Sequence, residues 1–195
     1  RDPAAAGKNR RKPDYKLSIS KKAFFDKYKM ESSIFSIGIF SRIEDQKGQH
    51  LLIEAIRQSK HKIQLFIVGH CMDEKYKNKL KNISSEYNLS SHICFTGFLQ
   101  SPMNYMPFFN LVVLPTYEET FGLIVAEAML MKVPVLGSNA GGVPEIITHE
   151  SNGLLFETRN YNDLQDKIDM VIENSRLRER IIDKGFNFAN KYYDY

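Results

Sequence analysis

From Ser33 onward the hydrophobic positions fall into short, nearly unbroken runs: "IFSIGIF" (34–40), "IQLFIVG" (63–69), "HICFTG" (92–97), "LVVLP" (111–115), "VPVLGS" (133–138) and "GLLF" (153–156). Each run is closed by Gly, Pro or Ser or leads into a polar loop, the pattern of strands covered on both faces. Between them, "QHLLIEAIRQS", "DEKYKNKLKNISSEY", "PMNYMPFF" and "FGLIVAEAMLMK" space their apolar positions at the helical period. The tail beyond Tyr161 predicts two amphipathic helices, separated near Asn174. Strand–helix alternation predicts an α/β fold with a Rossmann-like parallel sheet of about six strands and helices on both faces. In such a sheet, ligands bind beside the carboxyl ends of the strands.

At 195 residues the chain can build one substantial core, and 43% apolar with 26% charged residues fits a globular domain. The formal charge of +4 is unevenly placed: residues 1–30 hold ten Lys or Arg against three acids, so the body is slightly acidic. That distribution argues against a nucleic-acid partner and divides the chain into a basic arm or linker, 1–30, partly disordered or vector-derived, and a domain, 31–195. No apolar run reaches the length of a membrane span and no signal-peptide pattern is present. Cys71 and Cys94 are too few for a disulfide scaffold, and a reducing cytoplasm is the economical reading. The five histidines lack ligand spacing, so no metal site is expected.

Three polar clusters follow strands: "SRIEDQKG", "GHCMDE" and "PTYEETFG". Arg42 and Lys47 offer a planar fork and a compact point charge for phosphate oxygens, with Gly48 allowing close backbone approach. Two solvated surface cations are the plainer reading. Neither Gly-x-Gly-x-x-Gly nor a Walker A loop is present, which weighs against a dinucleotide oxidoreductase or a P-loop enzyme. In "EETFGLIVAEAM", Gly122 clears space where the backbone N–H groups of Phe121, Gly122 and Leu123 can reach a phosphate. Glu119 before the helix and Glu127 within it can each accept two hydrogen bonds from a vicinal diol, which suits two sugars flanking a diphosphate. The alternative keeps Thr116 or Glu119 as a helix cap and Glu127 as a solvated face. In "SNAGGVPEI", Gly141-Gly142 forms a turn whose amides can approach a ligand, and Pro144 suits the first turn of a helix.

Taken in order, "ETFGLIVAEAM", "VPVLGSNAGGVPEIITHESNGLLF", "SRIEDQKGQHLLIEAI" and "ICFTGFLQ" resemble the signature of family 4 of the glycosyltransferases, retaining enzymes of GT-B architecture. The likeness runs from about Phe35 to the C-terminus. It implies that Arg42 and Lys47 bind the donor diphosphate and that Glu119 binds hydroxyls of the transferred sugar, these three forming the catalytic set. It further implies that Phe121, Gly122 and Leu123 meet sugar and phosphate, that Glu127 holds the ribose diol, and that Gly38 and the loop Cys94–Phe98, with Thr96 inside it, complete the nucleotide site. The chemistry implied is transfer with retention, no cofactor and no metal, from a nucleotide sugar to a glycan, lipid or other envelope precursor.

Departures from the family pattern are Ser41 before the arginine, His70 and Cys71 in place of a second glycine, and Lys132 at the end of a helix. The chain reads as the C-terminal, donor-binding half of a GT-B enzyme, inactive alone. The N-terminal half would bind the acceptor in a full-length enzyme, cytoplasmic or peripheral to the inner membrane face. A non-catalytic nucleotide-binding module, or a glycosyl phosphorylase or sugar-nucleotide epimerase on the same fold, remain alternatives at this point.

Overall fold

A computed structural model describes residues 19–193. Six strands form one parallel sheet: β1 (Phe35–Phe40), β2 (Ile63–Val68), β3 (Ile93–Gly97), β4 (Leu111–Leu114), β5 (Val135–Ser138) and β6 (Leu154–Phe156). Their order across the sheet is β3-β2-β1-β4-β5-β6. Every strand expected from the apolar runs is present, and its parallel partners follow: Phe35 faces Ile63, Ile37 faces Leu111, and Val112 faces Val135. The chain builds outward from β1 to β3, then returns to the other side of β1 with β4. The connections after β1 and β4 therefore lead to helices on opposite faces of the sheet, and the strand order reverses between them.

Alternate residues of the strands feed two cores, as period-two side-chain geometry requires. Ile37, Ile39, Leu65, Ile67, Leu111 and Val113 pack on one face with α2 (Gln49–Gln58), α3 (Glu74–Glu86) and α6 (Tyr161–Glu173). Phe40, Phe66, Val68, Val112 and Leu114 pack on the other face with α1 (Lys21–Lys27), α4 (Leu123–Leu130) and α5 (Val143–Ile146). The last helix, α7 (Ser175–Tyr192), packs on both α6 and α4, and starts at Asn174, whose side chain accepts from Leu177 N. "PMNYMPFF" is 3₁₀ rather than α-helical over Pro102–Phe108, because Pro102 opens it and Pro107 removes a donor inside it. Among the described residues no helix is long and apolar enough to cross a membrane.

The arm expected to end at residue 30 needs correction. Residues 1–18 lie outside the described residues, but from Ser20 onward the chain is packed. Ser20 caps α1, accepting from Ala23 N, and α1 buries Phe24 and Phe25. The Phe25 ring lies 4.8 Å from Phe66 of β2, and the Phe24 ring 5.8 Å from it, within an aromatic cluster that includes Tyr105, Phe108 and Phe109. Gln64 then fastens the segment to the sheet, accepting from Glu31 N (2.9 Å) and donating to Glu31 O (2.7 Å). The high lysine content of "KKAFFDKYKM" hides two core residues inside a basic stretch. Phe25→Ala is expected to destabilise the fold by about 3–5 kcal/mol, because a fully buried ring leaves a cavity. A melting temperature that stayed at the wild-type value would show that α1 contributes nothing to the core.

Candidate functional site

The loop after β1 runs through a 3₁₀ turn, Asp45–Lys47, into α2, and the loop after β4 runs from Pro115 to the start of α4. Gly48 lets them touch backbone to backbone. Its φ is +67°, and a Cβ there would lie 2.1 Å from the Pro115 carbonyl oxygen. Hydrogen bonds then sew the loops together. Tyr117 N donates to Gln46 O at 2.9 Å, and Thr116 Oγ1 lies 3.2 Å from the same carbonyl. Ser138 Oγ, at the end of β5, donates to Thr116 O at 2.6 Å.

This juxtaposition brings Lys47 and Glu119 together although 72 positions separate them. Lys47 Nζ donates to Glu119 Oε2 at 3.2 Å, and both side chains are largely shielded, 16% and 21% exposed. Glu119 Oε1 accepts from Thr120 N at 3.1 Å, which fixes the carboxylate plane. Behind it, Gly142 N donates to Glu119 O at 2.8 Å. Gly141 has φ +53°, and a Cβ there would lie 2.1 Å from that same carbonyl oxygen. Three loops thus close on Glu119. They line a cleft of about 410 Å³ bounded by Arg42, Gln46, Lys47, Tyr117, Glu118, Glu119, Thr120 and Gly141. Arg42 is more open, 59% exposed, and pairs with Glu44 at 2.9 Å.

The structure therefore gathers Arg42, Lys47 and Glu119 in one cleft. Phe121, 62% exposed, follows directly, and Gly122 (φ +60°) starts α4 with no side-chain cap. Neither Thr116 nor Glu119 caps that helix: the Thr116 hydroxyl bonds to Glu118 O and Gln46 O instead. Leu123 opens α4, and Glu127 lies one turn further on, half-buried. The expected approach of the Gly142 amide to a ligand is replaced by its bond to Glu119.

On the nucleotide side two assignments change. Gly38 lies inside β1, buried, where a Cβ would meet the Phe40 ring at 2.7 Å and the Phe109 ring at 3.0 Å; its lack of a side chain makes room for core aromatics. Cys94 is 9% exposed and packs in the core, its thiol pushed up to about 12 by burial, so its side chain serves there as a small apolar group. The expected loop Cys94–Phe98 is mostly strand, β3, and its open end is Phe98. Thr96 turns its hydroxyl to Gly97 O at 2.9 Å. Phe98, 60% exposed, stacks on His70 with ring centroids 4.5 Å apart and planes 14° from parallel.

Residues that sequence reasoning passed over surround the cleft. His50, in the first turn of α2, has Nδ1 2.8 Å from the Tyr76 hydroxyl and Nε2 2.7 Å from the Tyr117 hydroxyl. Burial holds its imidazole below the usual range, opposed by the Asp45 carboxylate and assisted by Lys79, so the ring is neutral at neutral pH. Gln49, fully buried, donates to Ser41 Oγ and Arg42 O and so fixes the backbone that carries Arg42. No group of three or more His, Cys, Asp and Glu suited to a metal ion occurs among the described residues.

A family model described as glycosyl transferases group 1 matches residues 20–188. The chain is similar to an uncharacterized glycosyltransferase of Methanocaldococcus jannaschii, 33% identical over 161 residues that cover 81% of this chain and 44% of that protein. It is similar in structure to Anabaena HepE in complex with UDP-glucose, with TM-score 0.80 and 29% identity over 83% of this chain and 45% of the other. The C-terminal domain of a glycosyl transferase group 1 family protein from Francisella tularensis matches at TM-score 0.80 and 29% identity, covering 92% of this chain and 95% of that one. The chain spans under half the length of the first curated relatives it matches, 44% and 45%. With a match that includes both loops of the cleft and most of the described residues, the chain belongs to the glycosyl transferases group 1 family.

Proposed function

We propose that this chain is the donor-binding half of a retaining GT-B glycosyltransferase and that the cleft between β1 and β4 takes a nucleoside diphosphate sugar. The observation that carries this reading is the meeting of Lys47 with Glu119 at the point where strand order reverses. A cation that suits a diphosphate there stands beside an acid that suits sugar hydroxyls. Arg42 supplies a second cation at the mouth, and the uncapped start of α4 at Phe121–Leu123 supplies N–H groups and partial positive charge. The Anabaena relative, solved with UDP-glucose, makes that compound the natural probe.

In the reaction, an acceptor hydroxyl attacks the anomeric carbon on the face from which the diphosphate leaves. The bond from that carbon to the phosphate oxygen breaks, and the hydroxyl proton passes to the departing diphosphate. Arg42 and Lys47 stabilise the charge that grows on the leaving group, a task that preorganised cations perform without a metal ion. Glu119 orients the sugar through its hydroxyls. Acceptor recognition belongs to a second domain of a longer protein acting in the cytoplasm or at the inner membrane face, and without that domain this chain binds donor but does not turn it over.

Calorimetry with UDP-glucose tests the reading: binding is expected, with the same affinity in magnesium or in a chelator. An affinity that appears only with magnesium would remove the leaving-group role from Arg42 and Lys47. Glu127 is assigned to the ribose. Glu127→Ala should weaken UDP about tenfold more than 2′-deoxy-UDP, which keeps only the 3′-hydroxyl, since a hydrogen bond to a charged group contributes about 1.5–3 kcal/mol. Equal losses for the two ligands would take Glu127 off the ribose.

A further inference from the structure

His50 joins three elements. Its own helix carries the Lys47–Gly48 turn at its start, Tyr76 belongs to α3, and Tyr117 belongs to the loop that carries Glu119. On the Tyr76 side the contact is doubled: the hydroxyl accepts from His50 N at 3.2 Å and meets Nδ1 at 2.8 Å. Because that hydroxyl already accepts the backbone N–H, its own proton is best directed to Nδ1. The Nε2–H tautomer then remains to donate to the Tyr117 oxygen at 2.7 Å. The Arg159 guanidinium lies over the Tyr117 ring, 4.5 Å from its centroid. Tyr117 is thus held at its hydroxyl by His50 and over its ring by Arg159, two residues before Glu119.

We propose that His50 is a positioning residue for the donor cleft: through the bond from Nε2 to the Tyr117 hydroxyl it sets where the 115–120 loop holds Glu119 against Lys47. The proposal rests on reading this cleft as the donor site. Tyr117 is the cleft-lining residue whose side chain His50 bonds, so the effect argued here passes through that phenol. The side chains that face the ring are Asp45, with its carboxylate 3.9 Å from Nδ1, Tyr76 and Tyr117, with Lys79 acting from α3.

Three substitutions separate positioning from simple packing. His50→Phe keeps a ring and loses both nitrogens. His50→Asn keeps a polar group near Nδ1, toward Tyr76, and His50→Gln keeps one near Nε2, toward Tyr117. If the Tyr117 bond is what matters, UDP-glucose affinity falls roughly tenfold in His50→Phe and His50→Asn and stays within about threefold of wild type in His50→Gln. Uridine affinity stays level in all three. A merely structural histidine would give the reverse order, since the Tyr76 side is the more buried, or equal losses for uridine and UDP-glucose; either result overturns the proposal. Amide resonances of Glu118–Thr120, followed in the same proteins without nucleotide, report the loop directly. They should shift in His50→Phe and His50→Asn and hold in His50→Gln, and unmoved amides throughout would overturn the positioning role. A wild-type protein that binds no UDP-glucose while these amides respond would count against the donor-site reading and leave the positioning of the loop standing.

Discussion

Lys47→Ala is expected to weaken UDP-glucose binding by about 10–100-fold while uridine binding changes less than about twofold, the largest effect of any side-chain replacement in the cleft. The size follows from the worth of a charge-assisted hydrogen bond, about 1.5–3 kcal/mol, at roughly 1.4 kcal/mol per factor of ten. Lys47 is only 16% exposed, so solvent screens its interaction with an anion far less than it screens the open Arg42. Part of the loss has a second origin. Glu119, 21% exposed, is deprived of its cation and is left to repel any phosphate that enters. Combining Lys47→Ala with Glu119→Gln should therefore recover part of the affinity for UDP, though not for the sugar. Calorimetry on the four proteins with UDP-glucose, UDP and uridine decides it: equal losses for all three ligands in Lys47→Ala would mean the phosphates lie elsewhere.

Gly141→Ala is the second large effect, and it acts on backbone. A residue with a side chain is strained at φ +53°, and the added methyl would stand 2.1 Å from the Glu119 carbonyl oxygen and 2.9 Å from its nitrogen. Neither atom belongs to a flexible side chain, so the Glu119 segment must move. The strain alone costs about 1–3 kcal/mol. The displacement breaks the bond from Gly142 N and pulls the carboxylate from Lys47, so UDP-glucose affinity should fall at least about tenfold along with the melting temperature. A variant that melts early yet binds donor as wild type does would show that the loop after β5 has no part in holding Glu119.

Much of this could be read from the chain itself. The six apolar runs mark the six strands, because strands buried on both faces leave no polar alternation to blur them. Asn174 splits the tail helices as expected, its side chain capping α7. The convergence of Arg42, Lys47 and Glu119 was legible too, since all three follow strands and a doubly wound sheet gathers its loops on one rim. What escaped has physical causes. Phe24 and Phe25 sit among lysines, and charge disguised the helix. Gly38 and Cys94 looked like ligand positions, but depth within a strand is a property of packing that spacing does not reveal. His50 makes its two side-chain bonds to tyrosines 26 and 67 positions away, and no local pattern announces such a bridge.

The pairing of Lys47 with Glu119 has a consequence for selectivity. The two charges neutralise each other, so a simple anion such as inorganic phosphate gains the ammonium only by pressing its own charge against the carboxylate. A molecule bearing a pyrophosphate and, next to it, hydroxyl donors satisfies both partners at once. Under the proposed donor-site reading the cleft would act as a two-key lock, its discrimination against the abundant phosphates of a cell coming from the acid as much as from the cation.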